Sequence, residues 1–108
     1  MTAVLDIRDE HAAIVRDVLH TFLPVGTRTF VFGSRAHGGA RRYSDLDLAV
    51  LWDRPLGLRL IGEIAEALSE SDLPYKVDIL DLAAIDPAFR ERIAHGLVPF
   101  PMDAAGLT

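Results

Sequence analysis

The chain has 108 residues, 50% hydrophobic and 25% charged, with a formal net charge of −5. These values fit a single globular domain spanning residues 1–108, and the acidic balance argues against a non-specific nucleic-acid binder. The absence of cysteine excludes disulfides and thiolate metal sites, and no apolar run approaches the ~20 residues of a membrane-spanning helix.

The first ten residues carry acids and no signal-like apolar core, so the cytoplasm is the expected location. Ile7, Ile14, Val15, Val18, Leu19, Phe22 and Leu23 recur at helical spacing. They predict a helix from Arg8 to Leu23, with Asp6 or Asp9 near its start and Pro24-Val25-Gly26 ending it. His11 and His20 have no partner at metal-ligand spacing and read as ordinary helix residues.

Thr27 to Phe32 is rich in β-branched and aromatic residues and stops at Gly33, which predicts a strand. Gly33 allows a close backbone approach. Ser34 is placed to open a short helical turn whose free N–H groups would receive phosphate oxygens. The segment that follows carries Arg35, Arg41 and Arg42, whose forked guanidinium groups either pair with a phosphate chain or stay solvated. His37 in the same segment reads as a bystander. Tyr43 either stacks on a base or packs on the domain.

Leu46 to Trp52 predicts a second, nearly all-apolar strand. Side chains alternate along a strand, so Asp45 and Asp47 point the same way. Two adjacent carboxylates repel unless a cation lies between them, and oxygen ligands suit Mg²⁺. The alternative is a pair of solvated acids in a turn entering the strand.

Asp53-Arg54-Pro55 closes that strand. Leu58, Ile61, Ile64, Ala65 and Leu68 mark one face of a helix reaching Ser71. Tyr75 to Leu80 predicts a third strand, in which Asp78 stands between Val77 and Ile79. A lone carboxylate in a core strand is costly, and a partner or a metal would relieve it. Asp81 is the rival acid, on the other face. Asp86-Pro87 opens a last helix, with Phe89 and Ile93 starting an apolar stripe and Gly96 ending it. Val98-Pro99-Phe100 is expected to lie extended against the body, and Pro101 to Thr108 to fray.

The string Phe32-Gly33-Ser34-Arg35-Ala36, followed by Ser44-Asp45-Leu46-Asp47-Leu48, leaves ten residues between the Gly-Ser pair and Asp45. It resembles the signature of the DNA polymerase β-like nucleotidyltransferases. Within them it looks like the minimal nucleotidyltransferases (MNT), antitoxins paired with HEPN toxins. The resemblance implies an α/β (α+β) nucleotidyltransferase fold, a small mixed sheet packed by helices on one face. It implies Mg²⁺-dependent transfer of AMP from ATP to a hydroxyl, with two Mg²⁺ ions held by Asp45, Asp47 and Asp78. Asp78 matches the place of the family's third carboxylate. Gly33, Ser34, Arg35 and Arg42 would bind the nucleotide. The implied partner is a HEPN-type RNase toxin, modified on a tyrosine. Two alternatives stay open: an antitoxin with a vestigial site that neutralises by binding alone, and a small-molecule nucleotidyltransferase.

Overall fold

The computed structural model of the protein describes residues 5–38 and 40–102. Gly39 and most of the tail expected to fray, from residue 103 onward, lie outside the described residues. The elements run α1 (Asp9–Phe22), β1 (Arg28–Phe32), a 3₁₀ turn (Gly33–Ala36), β2 (Leu46–Leu51), α2 (Leu58–Ser69), β3 (Val77–Asp81), α3 (Pro87–Ala94) and β4 (Val98–Pro99).

The four strands form one mixed sheet in the order β3-β2-β1-β4. β1 and β2 are antiparallel, with Phe32 opposite Asp47. β2 and β3 are parallel, with Asp47 opposite Asp78. A parallel pair cannot be closed by a tight hairpin, and α2 supplies the crossover. β4 pairs antiparallel with β1, and Phe100 extends that edge by donating its N–H to the Thr29 carbonyl at 2.9 Å.

Val31 of β1 and Leu46 and Leu48 of β2 face one side of the sheet. They pack with Val15 and Leu19 of α1 and with Ile64 and Leu68 of α2. Full burial of each such Leu, Ile or Val contributes about 1.5–3 kcal/mol. The expectation of helices on one face therefore describes α1 and α2. Because side chains alternate, Asp47 lies on the opposite face from Leu46 and Leu48, away from this core.

α1 begins with Asp9 and Glu10 in its first turn, where negative charge complements the helix dipole. Neither Asp6 nor Asp9 caps it: Arg8 is the N-cap residue and makes no side-chain capping bond. Asp6 has another task, described below. At the other end of the chain, Pro101 and Met102 are tied down rather than frayed. Arg16 Nη1 donates to the Pro101 carbonyl at 3.2 Å, and His20 Nε2 lies 2.6 Å from the Met102 carbonyl.

Two further expectations change. β3 is an edge strand, so Val77 and Ile79 are only half-buried and Asp78 is exposed. The buried acid is Asp81, which closes β3 at 8% exposure. Its Oδ2 accepts the N–H groups of Leu56 at 2.8 Å and Gly57 at 3.3 Å, fixing the chain as it enters α2. The apolar stripe of α3 is not buried either. The helix has no buried residue, and Phe89 lies at the surface with the Arg92 guanidinium 5.6 Å from its ring centre.

Candidate active site

The site begins where β1 ends. Phe32 is extended, and Gly33 turns the chain with φ +74° into the 3₁₀ turn. Gly33 and Ser34 are both exposed. A β-carbon added at Gly33 would stand 2.5 Å from Asp47 Oδ2. A side chain at Gly33 would therefore push that carboxylate aside, and the positive φ independently favours glycine there.

Asp47 is half-buried on the sheet face away from the helices, with Asp78 beside it in register and Asp45 just before β2. Burial pushes the Asp47 carboxyl above its ordinary range, and the charges of Asp78 and Asp45 push it further the same way. Neither Asp45 nor Asp47 forms an ion pair with a cationic side chain among the described residues. Asp78 has Lys76 Nζ 3.5 Å from its Oδ1, and both side chains are at least half exposed.

The three carboxylates face the same end of the sheet without closing a cage. Among the described residues, no three His, Cys, Asp or Glu side chains converge into a ready-made metal cluster. Mg²⁺ usually takes one or two protein carboxylates and completes its shell with water and substrate phosphates. Asp45 and Asp47, mutually repelling and beside the Gly33-Ser34 turn, are a donor set of that kind.

Arg35, expected on the phosphate chain, has its side chain turned inward. It is 6% exposed, and its guanidinium is committed to main-chain carbonyls. Nε donates to Ser44 at 3.0 Å, Nη1 to Asp6 at 2.9 Å, and Nη2 to Arg42 at 3.1 Å and Arg41 at 3.4 Å. The same group lies 3.9 Å above the centre of the Tyr75 ring. The Asp6 carboxylate holds the loop from outside, accepting the Ala40 N–H at 2.8 Å. Neither Asp6 nor Tyr75 carries a local sequence signal for this task, because both reach the loop from distant parts of the chain.

Arg41 and Arg42 remain exposed, as does His37. Arg42 stacks loosely on Tyr43, its guanidinium 5.3 Å from the ring centre, and Tyr43 is itself 63% exposed. Arg8, Arg41, Arg42, Tyr43 and Tyr75 line a cavity of about 350 Å³ on this side of the loop. A second, larger groove of about 770 Å³ runs between α2 and β3, with Lys76 and Asp78 in its lining.

Comparison with known proteins shows the family. Residues 27–98 match the family model described as polymerase beta, nucleotidyltransferase. The chain is 47% identical over 91 residues to the probable protein adenylyltransferase MntA of Haemophilus influenzae, covering 84% of this chain and 79% of that one. Among solved structures, a toxin–antitoxin crystal structure with AMP-PNP superimposes with a TM-score of 0.71 at 24% identity, covering 88% of this chain and 76% of that one. A tri-AMPylated Shewanella oneidensis HEPN toxin in complex with its MNT antitoxin gives 0.62 at 22% identity, covering 88% and 76%. The turn, the paired strands and the acids between them all lie within the matched residues, and the chain belongs to the polymerase β nucleotidyltransferase family.

Proposed function

We propose that the protein is an Mg²⁺-dependent adenylyltransferase that moves AMP from ATP to a tyrosine hydroxyl of a HEPN-type RNase toxin, and so acts as its antitoxin. The observation that carries this reading is the packing of Gly33 against Asp47, which sets a phosphate-binding turn beside a free pair of carboxylates. The identity to MntA and the likeness to complexes of MNT antitoxins with HEPN toxins support the choice of donor and partner.

In this reading Gly33 and Ser34 bind the β- and γ-phosphates of ATP through the main chain of the 3₁₀ turn. Arg42, exposed on the loop, is free to pair with the same phosphates. Asp45, Asp47 and Asp78 hold the metal. Bound Mg²⁺ supplies Lewis-acid charge that offsets the negative charge of the reacting phosphate. The acceptor oxygen forms a bond to the α-phosphorus, the bond to the bridging β-phosphate oxygen breaks, and pyrophosphate leaves. The hydroxyl proton passes to Asp78 or to solvent; Asp78 is exposed on the edge strand β3, on the sheet face it shares with Asp47. A phenol suits this role, since its reference pKa of ~10 makes it the more readily deprotonated hydroxyl.

Calorimetric titration with Mg-ATP tests the donor half. Heat of binding is expected for the wild type and a large loss of it for Asp47→Asn. A wild-type protein giving neither heat nor thermal shift at saturating nucleotide would overturn the reading.

A further inference from the structure

We propose that Arg35 is a positioning residue: it holds the carboxylates in register with the phosphate turn and does not touch the nucleotide. This rests on the reading of Asp45, Asp47 and Asp78 as the metal site.

A guanidinium at 6% exposure must be compensated, or its burial costs several kcal/mol. No carboxylate pairs with Arg35 among the described residues. Four carbonyl oxygens do the work instead, with the face of Tyr75 below. The addresses of those contacts are what matter. Arg35 lies two residues beyond Gly33 in the phosphate turn itself. Its Nε holds the carbonyl of Ser44, the residue immediately before Asp45. Its flat face rests on Tyr75, three residues before Asp78. Its Nη1 reaches Asp6, whose own N–H donates back to the Arg35 carbonyl at 2.8 Å and whose carboxylate holds Ala40.

One side chain thus joins the turn, the start of β2 and the approach to β3. The joint is continued by the backbone, where Leu46 donates its N–H to the Lys76 carbonyl at 2.9 Å. The Tyr75 ring is fixed in turn by His11, edge to face at 5.4 Å between ring centres, with the hydroxyl 3.2 Å from Nδ1. Lysine cannot replace this. It has no planar fork to serve several carbonyls at once and no flat face to stack. The described residues of the loop between the turn and β2 form no strand or helix. Without Arg35 its carbonyls would turn to water and Asp45 would lose its fixed position.

The test compares Arg35→Lys and Tyr75→Leu with the wild type, each held well below its own melting temperature. Tyr75→Leu leaves the four carbonyl acceptors of Arg35 in place and removes the stack together with the Tyr75–His11 contacts, which guards against the case in which Arg35→Lys does not fold. Three quantities are read: Mn²⁺ affinity by electron paramagnetic resonance without nucleotide, the dissociation constant of ATP in EDTA, and hydrogen exchange of the amides from residue 40 to 46. Expected are Mn²⁺ affinity weakened tenfold or more by Arg35→Lys and several-fold by Tyr75→Leu, faster exchange over the loop, and ATP affinity in EDTA changed less than threefold. Weakened ATP affinity with unchanged Mn²⁺ affinity would overturn the proposal and make Arg35 a phosphate ligand. Unchanged metal affinity in both folded variants would make it a contributor to stability alone. A wild type that binds no Mn²⁺ would instead refute the metal reading on which the proposal stands.

Discussion

Asp47 and Asp78 stand opposite each other across the parallel ladder of β2 and β3, with their side chains on the sheet face that α1 and α2 leave open. Asp47 is also the acid against which Gly33 packs. Its burial and its two acidic neighbours all disfavour its charge.

The pH dependence of the metal-free protein follows from this. The native Asp47 carboxyl keeps its proton at a pH where the unfolded chain has released it, so the native state binds more protons in that window. Stability without metal is therefore greater below the native value and falls as pH rises through it. Thermal melts in EDTA across the mildly acidic range should show this fall for the wild type, and Asp47→Asn should remove that part of the slope. A wild-type profile that climbs relative to the variant would contradict the assignment.

Asp78 is half exposed beside Lys76, so its replacement should barely disturb the fold. Asp78→Asn is expected to change stability by no more than about 1 kcal/mol. Transfer should nevertheless fall by about a hundredfold or more, the scale of losing a positioned acid–base group. Denaturant melts and a radiolabelled-ATP transfer assay measure the two effects on one preparation.

Asp81 should behave in the opposite way. Its buried Oδ2 serves two N–H groups at the entrance to α2. Asp81→Ala leaves those donors without their acceptor and should cost about 1–3 kcal/mol. Mg-ATP affinity, measured at a temperature where the variant is folded, should be unchanged. A folded Asp81→Ala variant with lost nucleotide affinity would move Asp81 into the site.

Gly33→Ala and Gly26→Ala separate backbone strain from contact with the carboxylate. Both glycines have positive φ, at +74° and +90°, so each alanine adds about 1 kcal/mol or more of strain. Nothing lies within 4 Å of a β-carbon at Gly26, whereas at Gly33 it meets Asp47. Both variants should melt lower, but only Gly33→Ala should lose Mg-ATP binding in calorimetry.

Most of the candidate site's geometry is legible in the sequence because it is local. Gly33-Ser34 and Asp45-Leu46-Asp47 sit at strand ends, and strand alternation alone sets which way the two acids point. Asp78 does stand beside Asp47, but Val77 and Ile79 suggest a core strand where the structure has an edge. The burial penalty belongs to Asp81, whose partners at Leu56 and Gly57 arrive from an earlier part of the chain. Arg35 could not be read for the same reason. A loop arginine beside a phosphate motif looks like a phosphate ligand until Tyr75 and Asp6 are brought to it by the fold. The stripe of α3 was visible, yet periodicity does not say whether a neighbour exists to cover it.

The most direct measurement is the intact mass of the cognate HEPN protein after incubation with this protein and Mg-ATP. The account predicts a gain of one or more adenylyl groups, mapped by peptide sequencing to tyrosine, and no gain with the Asp45→Ala/Asp47→Ala double variant. An unmodified partner, neutralised equally well by wild type and double variant, would contradict transfer and leave occlusion by binding as the mechanism.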